Sequence, residues 1–328
     1  MKRWAPIKAT GADPSLRRSP IGPSLLVVGA AISQEVGAAF AVGLFAALGA
    51  IGAVFVRFAV AGLILCVAVR PRLRGLSRRA WYSAAALAAT LTVMNLCFYN
   101  SLTRIPLGIA VTIEVLGPLI LSVVVSTRRI AWLWALLALA GVALLGVAQH
   151  HARHADPVGF GFAAGAAASW AGYILASSRA VAEFPKLGAL AVATMMGAFL
   201  TAPFAIISVA PAHALRWQVA GLGVTVAVMC SVIPYSLELM SLRTLSPETF
   251  AILTCLSPVI AALAGWLVLG QQLGLAGYLA TVLVTMASIG AVRSTRQPDD
   301  NGLHRVIGPS DVVANPTGAG ERHDRHGR

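Results

Sequence analysis

The sequence predicts an all-α integral membrane fold, ten transmembrane helices arranged as two inverted five-helix repeats. Three observations carry that prediction. Of the 328 residues, 58% are hydrophobic and only 11% are charged, whereas soluble domains carry about a quarter of charged residues. The 44 residues between Glu248 and Arg293 hold no formal charge, and as one helix they would run about 66 Å, roughly twice the hydrocarbon thickness of a bilayer. They must be two spans, with the turn at Gly270-Gln271-Gln272. The third observation is an internal echo. A shift of 140 residues brings Ser101-Leu102 onto Ser241-Leu242, Leu116 onto Leu256 and Pro118 onto Pro258, and a shift of 136 pairs Gly29–Ser33 with Gly165–Ser169. Five spans per half is an odd number, so the second half enters the membrane upside down relative to the first.

The elements follow in chain order. Residues 1–22 form a basic arm that leads directly into a full-length span, which reads as a retained cytoplasmic segment and not a cleaved signal peptide. In the first repeat, residues 23–150, apolar runs between charged residues place spans at 24–45, 50–69, 81–101, 106–126 and 131–149. The second repeat, residues 151–293, holds spans at 157–178, 188–208, 218–240, 247–269 and 273–292. Runs near 20 residues, rich in Gly, Ala, Leu and Val, suit helices and not the segments of about ten alternating residues in an outer-membrane barrel. Residues 294–328 lose apolar periodicity and read as a disordered cytoplasmic tail.

Cytoplasmic loops retain Lys and Arg. With the N-terminus inside, fifteen basic residues fall in the arm and inner loops, against Arg104, Arg153 and Arg216 outside. Both termini are therefore expected in the cytoplasm, with the chain in a bacterial inner membrane. The net charge of +13 matches this topology and the anionic inner leaflet, not nucleic-acid binding. Cys66, Cys97, Cys230 and Cys255 lie inside apolar runs without CxxC spacing, and all seven histidines fall in loops or the tail. No metal or other cofactor is expected. The spans hold no His and no Asp, which argues against a membrane enzyme, and no GxxxxGK[ST] loop is present for ATP-driven transport.

Burying a carboxylate at a helix centre costs roughly 2.5–3.5 kcal/mol on insertion scales, so intramembrane acids mark a pathway or an ion-pair partner. Glu114 lies in the middle of span four, one turn before Pro118, which frees the Glu114 carbonyl; it is either a functional carboxylate or a structural partner of Arg57. Glu35, midway along span one after Ser33-Gln34, is open to the same two readings. Glu238 near the inner end of span eight serves as a gate or a structural ion pair, and Glu248 is a carboxylate at a helix N-terminus. Arg57, the one basic residue within a span, is expected to neutralise a buried carboxylate. Asn95 with Tyr99, and Trp170 with Tyr173, each share a helix face, and with Tyr235 they supply either a pocket wall or interhelical packing. Pro118 and Pro258 break corresponding helices of the two repeats. Gly161 to Gly165 forms a GxxxG step.

These motifs resemble the ten-helix drug/metabolite transporter superfamily and, within it, the EamA-type threonine and homoserine exporters. The likeness rests on Leu44-Phe45 through Arg57-Phe58, on Phe98-Tyr99 through Pro106-Leu107-Gly108-Ile109-Ala110-Val111 with Glu114 and Gly117-Pro118, on Ser169–Leu175, on Pro234-Tyr235-Ser236-Leu237-Glu238, and on Leu269-Gly270. The resemblance implies a secondary exporter of small amino acids or related metabolites, with a central cavity between the repeats and proton exchange. Its partners would be the small-molecule substrate, protons and the lipid bilayer, with a homo-oligomer also compatible. The chain departs from the family where Ser257 precedes Pro258 and Gln271 follows Gly270, positions at which similar exporters often carry Glu. Export of another small polar metabolite or drug, or a sensor or scaffold role, are the competing readings.

Overall fold

The structure is a computed structural model that describes residues 21–71, 73–125, 129–151, 156–184, 187–208, 217–241 and 253–294. The basic arm apart from residues 21–22, Glu248 and nearly all of the C-terminal tail lie outside the described residues. Among those described, every regular element is a helix: α1 (Ile21–Val42), α2 (Phe45–Val69), α3 (Arg78–Leu102), α4 (Leu107–Glu114), α5 (Leu116–Val125), α6 (Arg129–His151), α7 (Pro157–Glu183), α8 (Gly188–Ser208), α9 (Trp217–Ala227), α10 (Ile233–Ser241), α11 (Ser257–Leu269) and α12 (Leu275–Ser294). A π turn, Val228–Val232, joins α9 to α10 without a loop. Six stretches are long and apolar enough to cross a bilayer, and four shorter apolar helices accompany them.

Local sequence explains where the helices begin, bend and end. Ser77 caps α3 by accepting from the Ala80 N–H at 3.0 Å. Asp156 caps α7 by accepting from Val158 and Gly159, with Pro157 following in the first turn, where its missing N–H costs nothing. The α2 helix starts at Phe45, before the expected 50, because Gly49 takes a left-handed φ of 65° that kinks the helix without ending it. Helix α6 reaches His151, so two of the histidines assigned to a loop belong to a helix end. The expected turn after span nine is present: Gly270 closes α11 at φ 65° and residues 270–274 are non-helical.

Span four is two helices. The α4 helix ends at Glu114 and α5 begins at Leu116, because Pro118 cannot donate to the Glu114 carbonyl. Span nine repeats the device: residues 253–254 are helical, Cys255 and Leu256 form a turn, and α11 restarts at Ser257 with Pro258 in its first turn.

Helices pack largely between the two halves of the chain. Helix α3 lies on α7 and α8, α2 on α8 and α9, α1 on α10 and α11, α4 on α7 and α11, α5 on α7, and α6 on α12. The seams are lined by small residues such as Ala53, Ala61, Ala84, Ala88, Ala163, Ala166 and Ala261, all at 0% exposure, which lets backbones approach closely. Gly117 is one such requirement, since a Cβ there would run into the Ala167 carbonyl oxygen of α7. Large apolar side chains such as Leu63, Phe199, Ile207, Leu267 and Met286 point outward, as a surface in contact with lipid tails requires.

Candidate functional site

The two interrupted helices meet at a cavity of about 340 Å³, within the ~300–1,000 Å³ range of small-molecule sites. Its wall draws on both halves: Gln34 from α1, Met94 from α3, Glu114, Val115, Pro118 and Leu119 at and after the first break, Trp170 and Tyr173 from α7, and Tyr235 from α10. Thr254, Cys255 and Ser257 come from the second break, and Ser288 from α12. Under the 140-residue shift Glu114 falls on Thr254 and Val115 on Cys255, so both breaks offer equivalent positions to one space. Glu114 is the one formally charged side chain among the described residues of the wall.

Of the residues singled out from sequence, Glu114, Trp170, Tyr173, Tyr235 and Pro118 line the cavity. Pro258 sits in the first turn of α11, next to Ser257. Glu35 does not line it. Its neighbour Gln34 does, while Ser33 Oγ turns away and donates to the Met229 carbonyl at 2.9 Å. Consecutive residues on a helix point about 100° apart, so three polar side chains in a row cannot share a wall. Glu35 is 3% exposed, and its Oε2 has no hydrogen-bond partner. It lies within electrostatic reach of Glu114 and Arg57. Glu238 belongs to α10 by its backbone, and its side chain lies outside the described groups.

Asn95 and Tyr99 share a face of α3, as expected, and that face meets Arg57. Arg57 Nη1 donates to Asn95 Oδ1 at 2.6 Å and to the Tyr99 hydroxyl at 3.4 Å. Its Nε donates to Ser231 Oγ at 3.1 Å and Nη2 to the Cys230 carbonyl at 2.7 Å. The guanidinium carbon also sits 5.7 Å from the centre of the Tyr99 ring, close enough for a cation–π contact. Arg57 therefore differs from the sequence expectation in its partners. Both ion pairs among the described side chains, Arg79–Glu183 and Arg104–Asp156, lie elsewhere, and neutral acceptors surround this cation. The physical reason is the π turn of Val228–Val232, which carries Cys230 and Ser231 opposite α2 and whose slipped hydrogen-bond ladder suits a carbonyl to an outside donor. Close approach of α1 to this turn depends on Gly37, where a Cβ would lie 2.6 Å from Cys230 Sγ.

Gln34, Met94, Thr254, Ser257 and Ser288 are wall residues that the sequence did not single out as binding groups. For Thr254 and Ser257 a signal existed, because the 140-residue shift superimposes them on Glu114 and Gly117. Ser288 sits in an uncharged span with nothing in its neighbours to mark it. The GxxxG step is absent as a packing element at its first glycine: a Cβ on Gly161 would meet nothing within 4 Å, whereas one on Gly165 would lie 3.2 Å from Cys97 Sγ.

Comparison with known proteins gives a consistent answer. The family model of the EamA-like transporter family matches residues 157–293. The chain is 33% identical over 284 residues to the threonine/homoserine exporter RhtA of Escherichia coli (strain K12), covering 86% of this chain and 96% of that protein. The exporter of the same name from Salmonella typhimurium (strain LT2) matches at the same identity and coverage. A solved structure described as a crystal structure of a protein shares the fold, with a TM-score of 0.58 at 20% identity over 84% of this chain and 98% of its own.

Proposed function

Because the chain belongs to the EamA-like transporter family and is thus a multi-pass membrane exporter and not an enzyme, we propose that it exports small amino acids or related metabolites of the threonine and homoserine kind. Transport is secondary active, by proton exchange, through a cavity that opens alternately to the two sides of a bacterial inner membrane. One observation carries the reading: Glu114, the one carboxylate among the described wall residues, stands in a cavity built around two proline-interrupted helices. Such interruptions at matching positions of two repeats are how secondary transporters expose polar backbone to a substrate at the bilayer midplane. Glu114 takes a proton from one side and gives it up when a substrate ammonium arrives, so one charge couples two ligands.

The arrangement as two inverted five-span repeats has three supports. The breaks at Val115 and at Cys255-Leu256 are about 140 residues apart, as are Pro118 and Pro258. Helix contacts exchange between halves in reciprocal fashion, α3 on α7 answering α1 on α10, and α4 on α7 answering α1 on α11. The family match, residues 157–293, coincides with the second repeat expected from sequence. With both termini cytoplasmic, Tyr235 and Ser288 fall in the inner halves of their spans and Gln34 and Met94 in the outer halves of theirs, so the wall straddles the middle of the membrane. The bond from Leu107 N–H to Gln271 Oε1, at 3.0 Å, then lies on the outer side, where Gly108 abuts Ala262. We read that contact as closing the periplasmic end of the cavity.

The test is counterflow of labelled threonine and homoserine into proteoliposomes, for the wild type and Glu114→Gln. The wild type should exchange both. The variant should insert normally, lose efflux driven by a pH gradient, and weaken in substrate affinity by roughly 30-fold or more, the cost of removing one partner of a buried charge pair. Wild-type rate and affinity in the variant would strip Glu114 of both roles and make Glu35 the next carboxylate to examine.

A further inference from the structure

We infer that the carboxylate of the amino-acid substrate is bound by neutral donors, the Ser257 and Ser288 hydroxyls at the N-terminal end of α11, while Glu114 on the adjoining α4 takes the ammonium. The inference rests on the proposed amino-acid substrate and adds the second half of its recognition.

An amino acid brings two opposite charges, and the described cavity wall holds one charge only, a negative one. The nearest intramembrane cation is committed elsewhere. Arg57 spends Nε, Nη1 and Nη2 on Ser231, Asn95, Tyr99 and Cys230, none of which lines the cavity. The substrate carboxylate must therefore exchange its water for hydroxyls and backbone dipoles.

Two independent observations converge on one place. The first is the start of α11, a helix of 13 residues whose preceding residue, Leu256, provides no side-chain cap. Pro258 has no N–H and the Val259 and Ile260 N–H groups donate to the Leu256 carbonyl, so the donor this helix start offers is the Ser257 hydroxyl, which belongs to the cavity wall beside the positive end of the helix dipole. The second is Ser288 on α12, which packs against α11. Ser288 is 1% exposed, it lines the same cavity, and its Oγ has no hydrogen-bond partner. Buried hydroxyls in proteins are nearly always satisfied, so one left open at a cavity is completed by whatever occupies the cavity. Two hydroxyls beside the positive end of a helix dipole are a set of donors suited to an anion, and they need no buried cation to hold it.

The experiment measures competition against labelled threonine in proteoliposomes, using threonine and its amide, which keeps the ammonium and the side chain but loses the negative charge. Ser257→Ala and Ser288→Ala should each weaken threonine by roughly 10-fold, as for loss of a hydrogen bond to a charged group, and shift the amide by less than about threefold. Ser257→Thr keeps a hydroxyl and should retain threonine affinity. Thermal stability of Ser288→Ala should equal that of the wild type, since no protein bond is removed, and that readout separates binding from folding. Equal losses for threonine and the amide, or no loss for either, would overturn the assignment. A wild type that transports no amino acid would instead overturn the proposed function.

Discussion

Arg57 illustrates how a cation in a membrane can be held by neutral acceptors, with no direct ion pair to it among the described side chains. Its four hydrogen bonds and its contact with Tyr99 spread the charge over oxygen atoms from α3 and from the π turn. Arg57→Gln keeps one amide but strands several of these acceptors, and each buried group left open costs about 1–3 kcal/mol. The folded yield and melting temperature in detergent should both fall. A variant that folds as well as the wild type while its substrate affinity changes would make Arg57 a ligand. Asp156, outside the spans, behaves oppositely. Its hydrogen bond to Arg104 Nη1 at 2.9 Å, helped by the N–H groups it caps, holds its pKa below the usual carboxylate value. A depressed folded pKa gives stability that is present above the ordinary carboxylate pKa and is lost as pH falls through the lower folded value. The melting temperature should thus drop on acidification below about pH 4, and Asp156→Asn should show a smaller drop.

Among the elements, the packing of α5 on α7 is the one most exposed to a single change. A methyl group at Gly117 has the Ala167 backbone directly in its way, and overpacking a close seam costs roughly 1–3 kcal/mol or more. Gly117→Ala should lower the melting temperature and transport together, because α5 carries Pro118 and Leu119 of the cavity wall. On α7 itself Gly161→Ala meets open space and should be neutral or stabilise by roughly 0.5–1 kcal/mol through helix propensity. Comparable losses in both variants would mean that α7 tolerates no added volume anywhere, and would remove the special status of the Gly117 contact. Both interruptions follow from proline chemistry legible in the sequence. The π turn has no such mark, since nothing in Val228–Val232 forbids an ordinary helix; the demand for acceptors comes from Arg57 on another span.

For the molecule as a whole, the distribution of basic residues makes the topology testable. Fifteen in the arm and inner loops against three outside predict that both termini are in the cytoplasm. A reporter active only in the periplasm, fused after Arg293, should stay silent, and one fused between α7 and α8 should as well. A reporter between α3 and α4 should be active. Activity after Arg293 would mean an odd number of crossings and would end the account in terms of two inverted five-span repeats.

Composition and run length by themselves determined that this chain is helical and membrane-embedded, because burying or solvating so many apolar residues leaves no other outcome. Glu114 and its proline were legible for the same reason: a charge or a missing N–H in a span is costly wherever the helix turns. What only the tertiary structure decided is which faces meet. Gln34 and not Glu35 reaches the cavity, Asn95 and Tyr99 serve Arg57, and Ser288 enters the wall. Those outcomes depend on the rotation and crossing of neighbouring helices, set by small-residue seams such as Gly37 against Cys230 and Gly117 against Ala167, and the pattern along a single span carries no record of its neighbour.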